Sequence, residues 1–378
     1  VSLQQLDVDP HPVLARLREH EPVSWLPSLD GWLVTRHDLA LAAMRDDLRF
    51  TVDDPRFSTA QVIGPSMLSL DGPAHARHRA PFVVPFRAAA VSGRFAAIAA
   101  DRARSLLEQL EPAGGGELRR TFAGPMSASI VARALGLDED DTETVLRWYD
   151  EIVASVTEIT AGAGATGAGT RAFAQLRARL RAVIAARDRS SLLAAAARDS
   201  TLTEDEIVSN AAVLLFGGIE TTEGMIANAL VSLLERPHQL RRVRDDPEAL
   251  DAAIDESLRL EPAAAVVDRY ATADMTLGTA AIVRGDLIRI SIAGANRDPA
   301  LFAEPDTFDP TRRNLRRHLA FAQGPHVCVG VHLARLEART ALGTLVDRLP
   351  KLRLDPGRRP VVRGLVFRKP QRVDVVWS

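Results

Sequence analysis

Apolar residues recur at three- and four-residue spacing along most of this chain. The alternation that marks strands is confined to short stretches near the start and in the last third. Near the start the pattern predicts a helix after Pro12, a strand over Gly31-Trp32-Leu33-Val34-Thr35 and a helix from Leu39 to Met44. From Ala74 to about Arg198 helix follows helix, with breaks expected at residues 112–116, 124–125 and 161–169, where glycine and proline cluster. Thr203 and Glu206 form the Thr-x-x-Glu signature of a capping box and open a long apolar run ending at Arg236-Pro237. That run is roughly 33 residues, or ~50 Å of helix, long enough to cross a whole domain. Asp246 and Pro247 are expected to start the next helix as N-cap and first residue, with Leu250, Ile254 and Leu258 on its apolar face. Strand signals return over residues 266–292 and 352–377, and no repeat of solenoid period is present. The expectation is a mainly α fold with a minor β-rich part. It forms a single domain over residues 1–378, with a β-containing portion over about 1–70 and a helical core from about 71.

Composition narrows the function classes. Hydrophobic residues make up 46% of the chain and charged residues 25%, ordinary values for a globular protein. The net charge of -2 implies no nucleic-acid partner. No apolar run reaches the ~18 residues needed to cross a bilayer, and Val1 to Pro10 has neither a basic nor an apolar leader segment. These features lead to the expectation of a soluble, cytoplasmic protein without a membrane partner. Lys351 and Lys369 are the only lysines among many arginines, and alanine is abundant, a bias that fits a bacterial source.

The single cysteine, Cys328, can form neither an internal disulfide nor a four-ligand zinc site. It stands in Phe321-Ala-Gln-Gly324-Pro-His326-Val-Cys328-Val-Gly330, just before a helix expected over residues 333–349. The two glycines allow tight turns and close approach of a large flat group. Free amides and the positive end of the helix favour a thiolate. Such a lone thiolate suits a single axial metal ligand, most obviously to haem iron. In the middle of the long helix stands Gly217-Gly218-Ile219-Glu220-Thr221-Thr222. Two glycines inside a helix cost ~1 kcal/mol each against alanine, so room for a ligand is their natural compensation.

The cysteine segment resembles the haem-binding loop of the cytochrome P450 family, Phe-x-x-Gly-x-His-x-Cys-x-Gly, with Phe321, Gly324, His326, Cys328 and Gly330 in every defined position. The glycine stretch looks like that family's oxygen-activation motif. The resemblance spans the chain almost end to end and implies the cytochrome P450 fold with haem b as cofactor. Cys328 would be the axial ligand, pushing electron density onto the iron. Thr221 would hydrogen-bond dioxygen and Glu220 would relay protons, with Gly217 and Gly218 making room for the cofactor. By the same resemblance His75, Arg79, Arg269 and His326 would bind the haem propionates. Glu256 and Arg259, three apart on one helix face, would form a structural clamp completed by Arg312 in Asp309-Pro310-Thr311-Arg312. The pocket would draw on Leu214, Ala264, Val266, Val267 and Val366 and on the loop between Phe57 and Leu70. These residues are mostly small or apolar, so a largely apolar small substrate is expected.

The resemblance implies a monooxygenase that inserts one atom of O2, in secondary metabolism. The chain holds no flavin or iron–sulfur segment, so electrons are expected from separate proteins, a ferredoxin and its reductase. Arg312, Arg313, Arg316, Arg317 and His318 form a basic run that could dock such an acidic donor. Three other readings are a haem-thiolate peroxygenase or isomerase needing no donor, a non-catalytic haem sensor, and a nicotinamide enzyme. The last rests on Gly162-Ala-Gly164-Ala-Thr-Gly167, which satisfies Gly-x-Gly-x-x-Gly. Its preceding stretch, 152–160, also fits a helix begun near Asp138, and no strand follows it to close a βαβ unit. A connection between two helices near the substrate entrance is therefore expected there.

Overall fold

A computed structural model of the chain describes residues 1–138, 141–160, 166–186, 191–199 and 201–378. Its axis is the helix Glu204–Leu234, which opens on Thr203 with both halves of the capping box formed. Between Asn210 and Leu234 every residue is buried except Gly217, Gly218 and Thr221. A helix apolar on all sides must be enclosed by others. Here it packs on the helices Gly124–Leu135, Ala249–Leu260 and Val331–Arg348. The helix Ala88–Leu110 covers Val331–Arg348 from the other side.

The β part is mostly one five-stranded sheet, ordered Val23–Leu26, Gly31–Val34, Leu287–Ser291, Val266–Ala271 and Phe50–Thr51. Only the pairing of Gly31–Val34 with Leu287–Ser291 is parallel. Strands far apart in sequence thus share one sheet, a pairing that local pattern cannot reveal. Leu6, Leu14 and Leu17 of the first two helices pack on Leu26, Leu33 and Ala265. Glu261 fastens that layer, its carboxylate lying 2.5 Å from His11 Nε2, 3.0 Å from Arg297 and 3.3 Å from Arg368.

Three local expectations change. Asp246 does not cap a helix: its carboxylate accepts the Glu248 amide in a turn, and the helix begins at Ala249. Gly124-Pro125 is no break, because the π-helical turn Arg119–Ala123 runs straight into the helix Gly124–Leu135. Proline is tolerated there because first-turn amides have no intrahelical acceptor. The helix after Cys328 begins at Val331, two residues early, with Gly330 as N-cap. Most of the glycine run at 162–167 lies outside the described residues, but residues 152–160 are helical and Gly167 opens the helix Gly167–Ala186. The strand–turn–helix context of a dinucleotide site is therefore not met.

The expected clamp residues do meet. Glu256 and Arg259 are fully buried, with forked hydrogen bonds of 2.7 and 2.8 Å between them. Arg312 Nε lies 3.1 Å from Glu256 Oε1, which also accepts the Asp309 amide at 2.8 Å. Arg259 donates further to the carbonyls of Asn296, Pro305 and Thr307, and Arg312 to those of Glu304 and Thr307. An irregular segment of some twenty residues is pinned through one carboxylate. Removing that carboxylate strands two guanidinium groups in the interior, so Glu256→Ala should cost roughly 3–5 kcal/mol in urea unfolding. A loss below ~1 kcal/mol would mean that the triad does not organise the segment.

Candidate active site

The clamp leads directly into the cysteine loop. Asn296, whose carbonyl takes Arg259, uses its side-chain oxygen to accept the Leu319 amide at 2.7 Å. Two residues on, Phe321 sits under Arg335, which in turn bonds Asp255 of the clamp helix at 2.7 Å. The Cys328 amide then donates to the Phe321 carbonyl at 2.9 Å, closing the loop. Cys328 is exposed, yet burial pushes its thiol upward while the Gly330 amide and the charge of Arg79 pull towards thiolate. An accessible sulfur surrounded by protein faces an internal void. Burial therefore outweighs the helix start and favours the neutral thiol.

The sequence treats Gly324 and Gly330 alike, but the structure separates them. A side chain at Gly330 would meet only the Cys328 sulfur, at 3.9 Å, which leaves open space for a flat group. Gly324 has φ +75°, and a side chain there would strike the backbone oxygen of Met44 at 2.4 Å. Gly324 therefore seats the loop on the helix His37–Arg45 and does not face a cofactor.

Beside the loop the four expected propionate partners converge. The rings of His75 and His326 are 4.3 Å apart. His326 Nε2 bonds Asp71 at 2.7 Å, and Asp71 is also bonded by Thr51 and the Val52 amide. Burial would raise the Asp71 carboxyl, but these hydrogen bonds outweigh it and bring it down to about 2. Arg79 donates to the Val327 carbonyl. Arg269 is buried with one hydrogen bond, to the Asp268 carbonyl, and feels the charge of Asp71. His75 is buried and its Nε2 has no hydrogen-bond partner. Burial, with the charges of His326 and Arg79, drives its imidazole down to about 4. Two arginines and two histidines gather around Asp71, with Asp47 and Asp268 adding negative charge nearby, and the buried His75 ring nitrogen still lacks a partner.

On the long helix, Thr221 Oγ1 donates to the Gly217 carbonyl at 2.7 Å, the back-bond that a helical threonine commonly makes. The Glu220 carboxylate is 2.9 Å from Lys369 Nζ, and burial first, then the charge of Glu223, raises it against the pull of Lys369. A side chain at Gly217 would meet nothing within 4 Å, whereas one at Gly218 would meet Val131 at 2.9 Å. Only Gly217 leaves room for a cofactor; Gly218 serves helix packing. Among the expected pocket residues, Ala264 bridges Phe367, whose ring lies 5.6 Å from that of Phe216 just before Gly217. Leu214 is buried on the same helix, and Val366 is half-buried with its carbonyl accepting the Ala265 amide. Val267 shares a strand face with Arg269 by alternation. Val266 points to the opposite face and lines a small cavity with Leu6, Leu14 and Leu33, so it belongs to the N-terminal core. Arg316 is exposed and 3.7 Å from Asp255, while Arg312 is committed to the clamp.

A family model described as Cytochrome P450 matches residues 175–363. Cytochrome P450 107B1 of Saccharopolyspora erythraea is 33% identical over 367 residues, covering 92% of this chain and 89% of that protein. The cytochrome P450 monooxygenase PikC of Streptomyces venezuelae is 33% identical, covering 96% and 91%. Among solved structures, P450BioI in complex with hexadec-9Z-enoic acid ligated acyl carrier protein superposes with a TM-score of 0.89 at 27% identity, covering 98% and 99%. The chain belongs to the cytochrome P450 family. Its curated relatives make it a monooxygenase of bacterial type, and the family's cofactor is haem. No single helix among the described residues is long and apolar enough to cross a membrane.

The residues present fit that cofactor. The open faces of Gly217 and Gly330 admit a flat ring, and the cationic cluster with its orphaned His75 nitrogen wants carboxylates such as propionates. Sequence reasoning missed Asp71, Glu223 and Lys369. The rarity of lysine was the one visible sign of the last. Since Gly217 faces space and Gly218 faces Val131, Gly217→Ala should leave the apoprotein as stable or up to ~1 kcal/mol more stable in urea. Gly218→Ala should destabilise it. Equal effects would mean that the two glycines do not differ in role.

Proposed function

We propose that the chain, acting as one cytochrome P450 domain in the cytoplasm, is a haem b monooxygenase. It would insert one oxygen atom of O2 into a largely apolar small molecule of secondary metabolism. Bound haem would supply the iron at which O2 is reduced and one of its atoms reaches the substrate. Cys328 would hold that iron from one side. His75, Arg79, Arg269 and His326 would hold the propionates, with Asp71 orienting His326. Thr221 would position the oxidant and, with Glu220, govern proton delivery. Ala264, Val267, Phe216 and Phe367 would present the apolar wall to the substrate, in keeping with the acyl chain in the P450BioI complex.

Electrons would come from a ferredoxin and its reductase. The exposed Val83 and Val84 lie one turn beyond Arg79, and Val327 beside the cysteine is exposed as well. With Arg79, which bonds the Val327 carbonyl, they would offer an apolar patch with a basic neighbour on the thiolate side, suited to an acidic donor, and the exposed Arg316 and Arg317 would add basic charge.

The observation that carries this reading is the accessible Cys328 beside a cluster of Arg79, Arg269, His75 and His326 in which the buried His75 Nε2 has no partner. The reduced protein should show a strongly red-shifted Soret band with carbon monoxide, and Cys328→Ala should abolish it. A protein that cannot take up haem would sink the proposal. Thr221→Ala should retain that band and oxidise donor at a similar rate, but product per donor should fall several-fold as peroxide rises. Unchanged coupling would remove Thr221 from proton control.

A further inference from the structure

Lys369 has no role in the haem cradle, yet its ammonium is buried against the oxygen-activation helix. Its Nζ lies 2.9 Å from Glu220 Oε1, 2.5 Å from Glu223 Oε2 and 3.4 Å from Tyr149 Oη. All three charged side chains are at most 13% exposed. The approach is built into the fold. Gly224 leaves the long helix bare where Ala263 and Lys369 cross it, and a side chain there would stand 2.9 Å from Ala263 Cβ and 3.5 Å from Lys369 Cβ. Glu220 and Glu223 are three residues apart, so one ammonium between strand and helix reaches both.

The surroundings place Lys369 at a branch point. Glu223 is also held by Arg119 Nη2 at 3.2 Å, and Arg119 Nη1 bonds the Gln371 carbonyl at the protein surface. Asp150, whose carboxyl burial raises, feels the charges of Arg120, Glu223, Lys369 and Arg119. Ionisable groups therefore run from Arg119 at the surface through Glu223 and Lys369 to Glu220, whose chain neighbour is Thr221. At the inner end the run is interrupted. Glu220 is committed to Lys369, Thr221 is committed to the Gly217 carbonyl, and no hydrogen bond joins the two side chains. Adjacent residues diverge by about 100° around a helix, so Glu220 must change rotamer to serve Thr221.

We propose that Lys369 is a positioning residue that latches the Glu220 carboxylate away from Thr221, and that Glu223 weakens the latch by competing for the same ammonium. The proposal rests on the reading that Glu220 and Thr221 manage protons in a monooxygenase. A carboxylate that leaves Lys369 loses its counter-charge in a buried place and takes up a proton that originates in bulk water. That is the proton Glu220 carries inward. Opening the latch and protonating Glu220 are thus one event, and the pH at which it occurs depends on Lys369 and Glu223.

The test is an infrared pH titration of the resting holoenzyme, reading the protonated-carboxyl band that Glu220→Gln removes. Lys369→Gln should make that band persist to a pH about one unit or more higher, because the group that favours the carboxylate is gone. Lys369→Arg should restore the original titration. Glu223→Gln should move the band the other way, since the whole ammonium then serves Glu220. In turnover the alkaline limb of coupling should shift in the same direction in each variant. Absence of a Glu220 band, or titrations that coincide in wild type and Lys369→Gln, would overturn the proposal. If Lys369→Gln does not fold, Glu223→Gln decides: an unchanged or upward titration overturns it. Haem-loaded protein without the red-shifted Soret band would refute the monooxygenase reading alone, since the infrared shifts need bound haem but not turnover.

Discussion

One fully buried carboxylate organises the part of this protein that carries its chemistry. Glu256 takes two guanidinium groups and a backbone amide, and those arginines bind the carbonyls of Asn296, Ala303, Glu304, Pro305 and Thr307 in a segment with little regular structure. Such a segment cannot satisfy its own backbone groups as a helix or sheet would. It uses side chains brought in from the helix Ala249–Leu260. Desolvating three charges is costly, and the cost is offset only because every partner is present. Through Asn296 and Leu319 the same network hands its rigidity to the loop that presents Cys328.

A second constraint is room. The long helix is packed on all sides, and partly exposed positions at Gly217, Gly218 and Thr221 interrupt a run of buried residues. The space there is divided: Gly217 faces a void, while Gly218 lets Val131 of a crossing helix come close. The cysteine loop repeats the division, with Gly330 open towards the sulfur and Gly324 pressed on Met44. In each pair one glycine admits a ligand and the other admits the protein itself.

Charge is partitioned as deliberately as space. Beside the cysteine loop Arg79, Arg269, His75 and His326 gather near Asp71, and the buried Nε2 of His75 is left without a partner. On the long helix two carboxylates crowd around a single lysine, and burial together with the charge of Glu223 raises the Glu220 carboxyl above its ordinary value against the pull of Lys369. One cluster has a spare buried ring nitrogen, and the other holds two carboxylates on one ammonium.

Helical spacing and the capping box at Thr203 determined the long helix from the sequence alone, because both are local. Cys328, His326, Phe321, Thr221 and Glu220 were legible because they stand at fixed offsets within two short motifs. The helix start at Asp246 and the break at Gly124-Pro125 were misread because a turn and the first turn of a helix use the same residue chemistry. Which glycine faces ligand and which faces protein depended on partners more than 80 residues away in sequence. Asp71 and Lys369 escaped notice for the same reason: neither lies in a motif, and each acquires its role from charges that only the folded chain brings within reach. Pattern reports what a residue does to its neighbours in the chain, while distance and desolvation, which set the chemistry here, exist only in three dimensions.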